Sequence, residues 1–260
     1  MAYSLLPGPL DGSDWSLRGQ YPSVIPSFHS ALPGLVNFRT GGAYQSGLLL
    51  QTRRSNEPDL DFLFTICPIP IVGISEADFS AAASTLGVEV IAIKAVSAAE
   101  TAQSAFDMSG RPTILFERHK FHTFTAGKYS KAHPGISTKG RGGYGLFSAQ
   151  YGRLHEAYLL DKSAALKAAS WGRFQIMGEY HKMAGFTSVE QFVLAMTKSE
   201  ANHLTAFVNY ILNKPKAHRG LKALQWTTFA QGYNGENQKG YDVKIKAEYA
   251  KLVTAAKKKK

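Results

Sequence analysis

The placement of proline constrains this chain more than any other feature. Eight of its eleven prolines (Pro7, Pro9, Pro22, Pro26, Pro33, Pro58, Pro68 and Pro70) lie before residue 73. Proline fixes φ and has no N–H to donate, so this stretch suits turns, edges and extended chain rather than helices. The same stretch holds no lysine, the first being Lys94, and it sets four arginines against five acids. The net charge of +11 therefore arises after residue 73. The shift predicts a boundary near Gly73: an unassigned segment over 1–73, a main domain over 74–256 and a basic tail over 257–260.

Several classes are excluded next. Hydrophobic residues make up 44% and charged residues 19% of the chain, enough apolar material for a packed core. A single cysteine, Cys67, rules out an intramolecular disulfide framework and a Cys-rich zinc site. The longest apolar stretch, 62–74, is broken by Pro68 and Pro70 and falls short of the roughly 18 residues of a membrane span. Pro7 and Pro9 interrupt the only apolar start and no basic residue precedes it, so no secretory signal is expected.

The second part reads as mostly helical. Ser75 and Asp78 have capping-box spacing ahead of an alanine-rich helix ending near Gly87. A second helix is expected over 88–103, with Ile91, Ala95, Val96 and Ala99 at helical spacing. Residues 111–116 suit a strand or a helical turn, and the Gly-, Ser- and Lys-rich 126–147 a long loop. Helices are expected over 148–168, 188–213, 218–230 and 242–256. Between them, Ser170 to Gly178 alternates apolar and polar residues between glycines and suits a small hairpin.

Glu100 stands out chemically. It falls near the end of a helix of apolar and small residues (Ala95, Val96, Ala98, Ala99). Such surroundings disfavour a carboxylate's charge, raise its pKa and make it a proton donor near neutral pH. The bland alternative is an exposed glutamate at a helix end. Glu117, between Phe116 and Arg118-His119, is expected to be ion-paired and ionised, a structural group or an electrostatic partner to Glu100. The G-x-G-x-x-G spacing of Gly140, Gly142 and Gly145 lacks a preceding strand, so a dinucleotide loop is not expected. His119 and His122 lack a third ligand, so no metal is expected. Ser170 to Gly178 and Phe229 to Gly235 mix aromatic and amide side chains, which suits the apolar faces and hydroxyl edges of sugars. Phe174, Ile176 and Phe229 read as core.

Four stretches in order, AVSAAE (95–100), GRPTILFERH (110–119), ASWGRFQIMG (169–178) and FAQGYNG (229–235), together resemble the N-acetylmuramidase domain of phage endolysins. The likeness spans residues 74–249 and extends more widely to the lysozyme superfamily. It implies a mainly α (α+β, lysozyme-like) fold, a helical domain with a small β-hairpin flanking a sugar-binding cleft. It also implies hydrolysis of the β-1,4 bond between N-acetylmuramic acid and N-acetylglucosamine, with Glu100 as general acid and Glu117 as second carboxylate. Ser170, Trp171, Gln175, Tyr233 and Asn234 would bind the sugar or orient water, and no metal or organic cofactor is implied. A lytic transglycosylase and a non-catalytic wall-binding protein are the alternatives. Ala99 stands where this family usually has a larger residue, often valine, which predicts a thinner wall beside the acid. The first 73 residues do not resemble the small wall-binding domain that often precedes this one.

Residues 241–260 hold seven lysines against Asp242 and Glu248. The terminal lysines 257–260 are expected to be solvated and to meet anionic envelope lipids or to aid solubility. No nucleic-acid-binding frame accompanies the positive charge, so no specific nucleic acid is expected. The partners expected are peptidoglycan glycan strands and the protein itself a monomer. Synthesis in the host bacterial cytoplasm and action in the periplasm after release complete the expectation.

Overall fold

A computed structural model describes residues 60–64, 73–100, 104–238 and 240–258. Most of the segment over 1–73, including Cys67, thus lies outside the described residues. Ser75 caps α1 (Glu76–Leu86): its side chain accepts from the Asp78 N–H, while the Asp78 carboxylate accepts from the Ser75 N–H. Gly87, at φ 62°, ends the helix in the left-handed conformation. Helix α2 (Val90–Glu100) follows, its Ala92, Ile93, Ala95, Val96 and Ala99 buried. Complete burial of a side chain such as Ile93 contributes about 1.5–3 kcal/mol. The end expected at residue 103 lies outside the described residues.

Strand β1 (Ile114–Phe116) leads into α3 (Arg118–Phe124), and residues 125–146 follow without a regular element. The expected helix over 148–168 is two, α4 (Gln150–Leu160) and α5 (Lys162–Lys167). Asp161 divides them because its backbone is extended and its carboxylate accepts from the Ala164 N–H at 2.9 Å. The expected hairpin is present as β2 (Ala169–Trp171) and β3 (Ile176–Met177). The sheet runs β1-β2-β3, antiparallel, with Leu115 opposite Ser170 and Ser170 opposite Met177. The hairpin turn needs Gly172, whose φ is +67° and where a Cβ would lie 2.6 Å from the His203 ring.

The expected helix over 188–213 is also two, α6 (Val189–Met196) and α7 (Glu200–Leu212), because Ser199 caps a new start by accepting from the Asn202 N–H. Helices α8 (Pro215–Lys222) and α9 (Trp226–Asn234) divide at Leu224, whose φ is +54°. These two cross closely through Gly220 and Gly232, where a Cβ would lie 2.3 Å from the Phe229 and Ala217 backbone nitrogens respectively. Helix α10 (Tyr241–Lys257) packs on α2 and carries Lys257, expected in the tail, inside its last turn. A turn of 3-10 helix, Asp61–Phe64, brings Leu60 and Leu63 into the same core.

Candidate active site

Glu100 is the last described residue of helix α2, and its carboxyl is withdrawn from water although the residue as a whole is only half-buried. Its Oε1 is sealed from solvent and has no hydrogen-bond partner. Burial pushes the carboxyl up to about 7; the nearby Tyr241 hydroxyl and the Lys244 charge oppose that rise. The small Ala99 therefore leaves the acid walled, because tyrosines of other elements close around it. Tyr210 on α7, Tyr233 on α9 and Tyr241 on α10 all lie near enough for Glu100's charge to oppose ionisation of their hydroxyls.

Tyr210 and Tyr233 also line a cleft of about 340 Å³. Glu117, His119, Lys120, Arg141, Gln175, Glu179, Tyr180, Lys214 and Asn234 share its wall. Glu100 is not among the lining residues, but Tyr210 and Tyr233, which are, feel its charge.

Glu117 departs from expectation. It sits at the junction of β1 and α3, is 2% exposed, and its pKa is raised rather than lowered. Burial causes the rise. Arg118 turns away and donates from Nε to the Gly142 carbonyl at 2.9 Å. His119 does lie beside it, Nε2 to Oε2 3.3 Å, but burial and the charges of Arg141 and Lys120 hold that imidazole down at about 4. The neighbour is thus a neutral ring at pH 7, without the charge that would keep Glu117 ionised.

The hairpin residues take different parts. Gln175 lines the cleft at φ +46°, and its amide makes three hydrogen bonds. Its Nε2 donates to the carbonyls of Gly172 (2.8 Å) and Thr113 (3.1 Å), and its Oε1 accepts from the Ser170 hydroxyl (2.7 Å). Ser170 is thus a support for Gln175, away from the cleft lining. Trp171, expected as a sugar contact, lies in the core: it is 1% exposed and its indole N–H donates to the Leu166 carbonyl at 3.1 Å. Its apolar ring gains more from burial beneath the sheet than from a place at the cleft. Tyr233 and Asn234 both line the cleft, and the Tyr233 hydroxyl donates to the Phe174 carbonyl at 2.7 Å.

Sequence reasoning missed a clamp between the hairpin and α2. Arg173 donates from Nε to Glu200 Oε2 at 2.6 Å and from Nη1 to the Ser97 hydroxyl at 3.2 Å. Its own N–H is accepted by His203 Nδ1 at 3.1 Å, while His203 Nε2 donates to the Met196 carbonyl at 2.7 Å. Burial holds His203 down at about 4, so it is neutral and this donor–acceptor pair fixes its tautomer. The tip of the sheet is thereby tied to α2 three residues before Glu100. Tyr210, Tyr241, Glu179 and Lys214 were missed as well. Nothing in their local sequence marks them, since long-range packing brings them together. Among the described residues, no group of three His, Cys, Asp or Glu side chains gathers to hold a metal.

A sequence model of the N-acetylmuramidase family matches residues 89–253. Among solved structures, the chain is similar to a Burkholderia AP3 phage endolysin, with a TM-score of 0.65 and 35% sequence identity. That match covers 74% of this chain and 76% of the endolysin. No curated protein matches. The mainly helical architecture with its small antiparallel sheet is lysozyme-like.

Proposed function

The chain belongs to the N-acetylmuramidase family, and from that premise we propose that it cleaves the β-1,4 bond between N-acetylmuramic acid and N-acetylglucosamine with Glu100 as general acid. The protein is a glycosidase of the bacterial cell wall, and peptidoglycan is its substrate. The observation that carries the assignment of the acid is the Glu100 carboxyl: its Oε1 is sealed from water without a hydrogen-bond partner, and burial pushes the group up to about 7. A glycosidic oxygen must receive a proton as its bond to the anomeric carbon breaks, and an acid titrating near the working pH is both protonated and willing to give the proton up.

Glu100 does not line the cleft, so Tyr210 and Tyr233 must give way for it to hand its proton to the leaving oxygen as positive charge develops on the anomeric carbon. Glu117, which lines the cleft, is the second carboxylate and opposes that charge when ionised. Water then bonds to the anomeric carbon and loses a proton to a carboxylate of the site, completing hydrolysis. Gln175, Tyr233 and Asn234 contact the sugar from the cleft wall, with Ser170 fixing Gln175 and Trp171 supporting the hairpin from below. The enzyme works as a monomer, is made in the host cytoplasm and acts in the periplasm after release. Its last lysines meet anionic envelope lipids.

Mass analysis of muropeptides released from purified peptidoglycan tests this reading. Muramyl reducing ends that have gained water are expected. Anhydro-muramyl ends would make the protein a lytic transglycosylase, and absence of any released fragment would remove the glycosidase assignment.

A further inference from the structure

We propose that Lys214 is a specificity residue of the cleft, where its ammonium binds a carboxylate on the muramyl substituent of the glycan strand; this rests on the muramidase reading above. The backbone sets it there. Helix α7 ends at Leu212, and Lys214 occupies the corner before Pro215, the first residue of α8. A residue before proline is held out of the helical region, and Lys214 indeed has φ −124° and ψ 78°. Its N–H donates to the Ile211 carbonyl at 2.9 Å and its own carbonyl accepts from the His218 N–H at 2.9 Å, which fixes the corner.

From that corner the side chain reaches the cleft wall and lies against two aromatic faces. The ammonium is 4.8 Å from the Tyr180 ring centre and 5.2 Å from that of Tyr210. Such contacts hold a cation while leaving its hydrogen-bond donors open. Every other cation of the cleft is engaged. Lys120 is paired with Glu179 at 2.5 Å, and Arg141 has interactions of its own beside Glu117 and His119. Glu179 is felt by Lys214 but is not within ion-pairing distance, being held by Lys120. Among the described residues no carboxylate is bound to Lys214, which thus presents a half-buried, oriented ammonium. Burial favours its neutral form, a tendency that an incoming carboxylate reverses.

Peptidoglycan supplies carboxylates where chitin-like glycans have none. They come from two sources: acidic residues of the peptide stem, and the lactyl group, which is a free acid only once the stem is removed. Both are the same chemistry to an ammonium, worth a severalfold change in affinity at a partly desolvated site.

The test compares the parent, Lys214→Met and Lys214→Arg on intact peptidoglycan and on strands stripped of stems by an amidase. KM and kcat are measured at low and high salt. Lys214→Met, which keeps the length and the contact with both rings, is expected to raise KM about fivefold at low salt with the smaller part of the effect on kcat. Lys214→Arg should recover most of that loss, and high salt should shrink the gap between parent and Lys214→Met. A rise confined to intact material identifies the stem carboxylates as the ligand, and a rise confined to stripped strands identifies the lactyl group. Unchanged KM on both substrates, or a loss in Lys214→Arg as large as in Lys214→Met, overturns the inference while leaving the muramidase reading intact. A parent that releases no muramyl reducing ends defeats that reading, and the inference with it.

Discussion

Glu100 and Glu117 are both carboxyl groups pushed up by burial, yet their surroundings differ in kind. Glu100 stands on α2 near tyrosines of α7, α9 and α10, with one oxygen unpartnered. Glu117 stands on the cleft wall, where a neutral imidazole touches it and Lys120 and Arg141 oppose the rise in its pKa. In the proposed mechanism the first holds the proton and the second carries charge beside substrate. Burial raises both, but what opposes it differs: the Tyr241 hydroxyl and Lys244 at Glu100, Lys120 and Arg141 at Glu117.

The comparison breaks most sharply at Glu100. Glu100→Gln keeps the shape without the acidic proton, so kcat on peptidoglycan should fall by about 10³-fold or more. Glu117→Gln should cost less, about 10- to 100-fold, measured in the same assay. Equal losses would mean that the two carboxyls act as one unit.

Stability should move the opposite way to activity. Folded Glu100 binds its proton more tightly than the unfolded chain, where the carboxyl titrates near 4.5. The stability from this site is full below 4.5 and is lost as pH rises through about 7. Glu100→Gln, which never ionises, should therefore exceed the parent by about 3 kcal/mol at pH 8 and match it near pH 4, as denaturant unfolding at the two values would reveal. The clamp offers a control in the other direction. Arg173→Ala leaves Glu200, 6% exposed, without its cation, and should lower unfolding stability by about 2–3 kcal/mol. The smallest effect belongs to Tyr241→Phe. Its hydroxyl favours the Glu100 carboxylate, so its loss should move the alkaline limb of the rate profile upward by less than about one pH unit.

Local chemistry was legible in the sequence where one short segment decides it. The Ser75–Asp78 cap and the hairpin each follow from a few neighbouring residues. Helix breaks at Asp161, Ser199 and Leu224 were not read. A cap or a single left-handed residue interrupts apolar spacing that otherwise runs straight through. Glu117 was misjudged because its neighbours in sequence, Arg118 and His119, were assumed to be its charged partners. One donates elsewhere and the other is neutral. Lys214 and the three tyrosines depend on contacts between distant helices, which no local pattern announces.

The most direct measurement is a carbon-13 titration of the Glu100 carboxyl, assigned by its disappearance in Glu100→Gln. The account predicts a midpoint near 7. A midpoint near 4.5, the ordinary value for glutamate, would mean that position 100 is ionised when the enzyme works and has no proton to give.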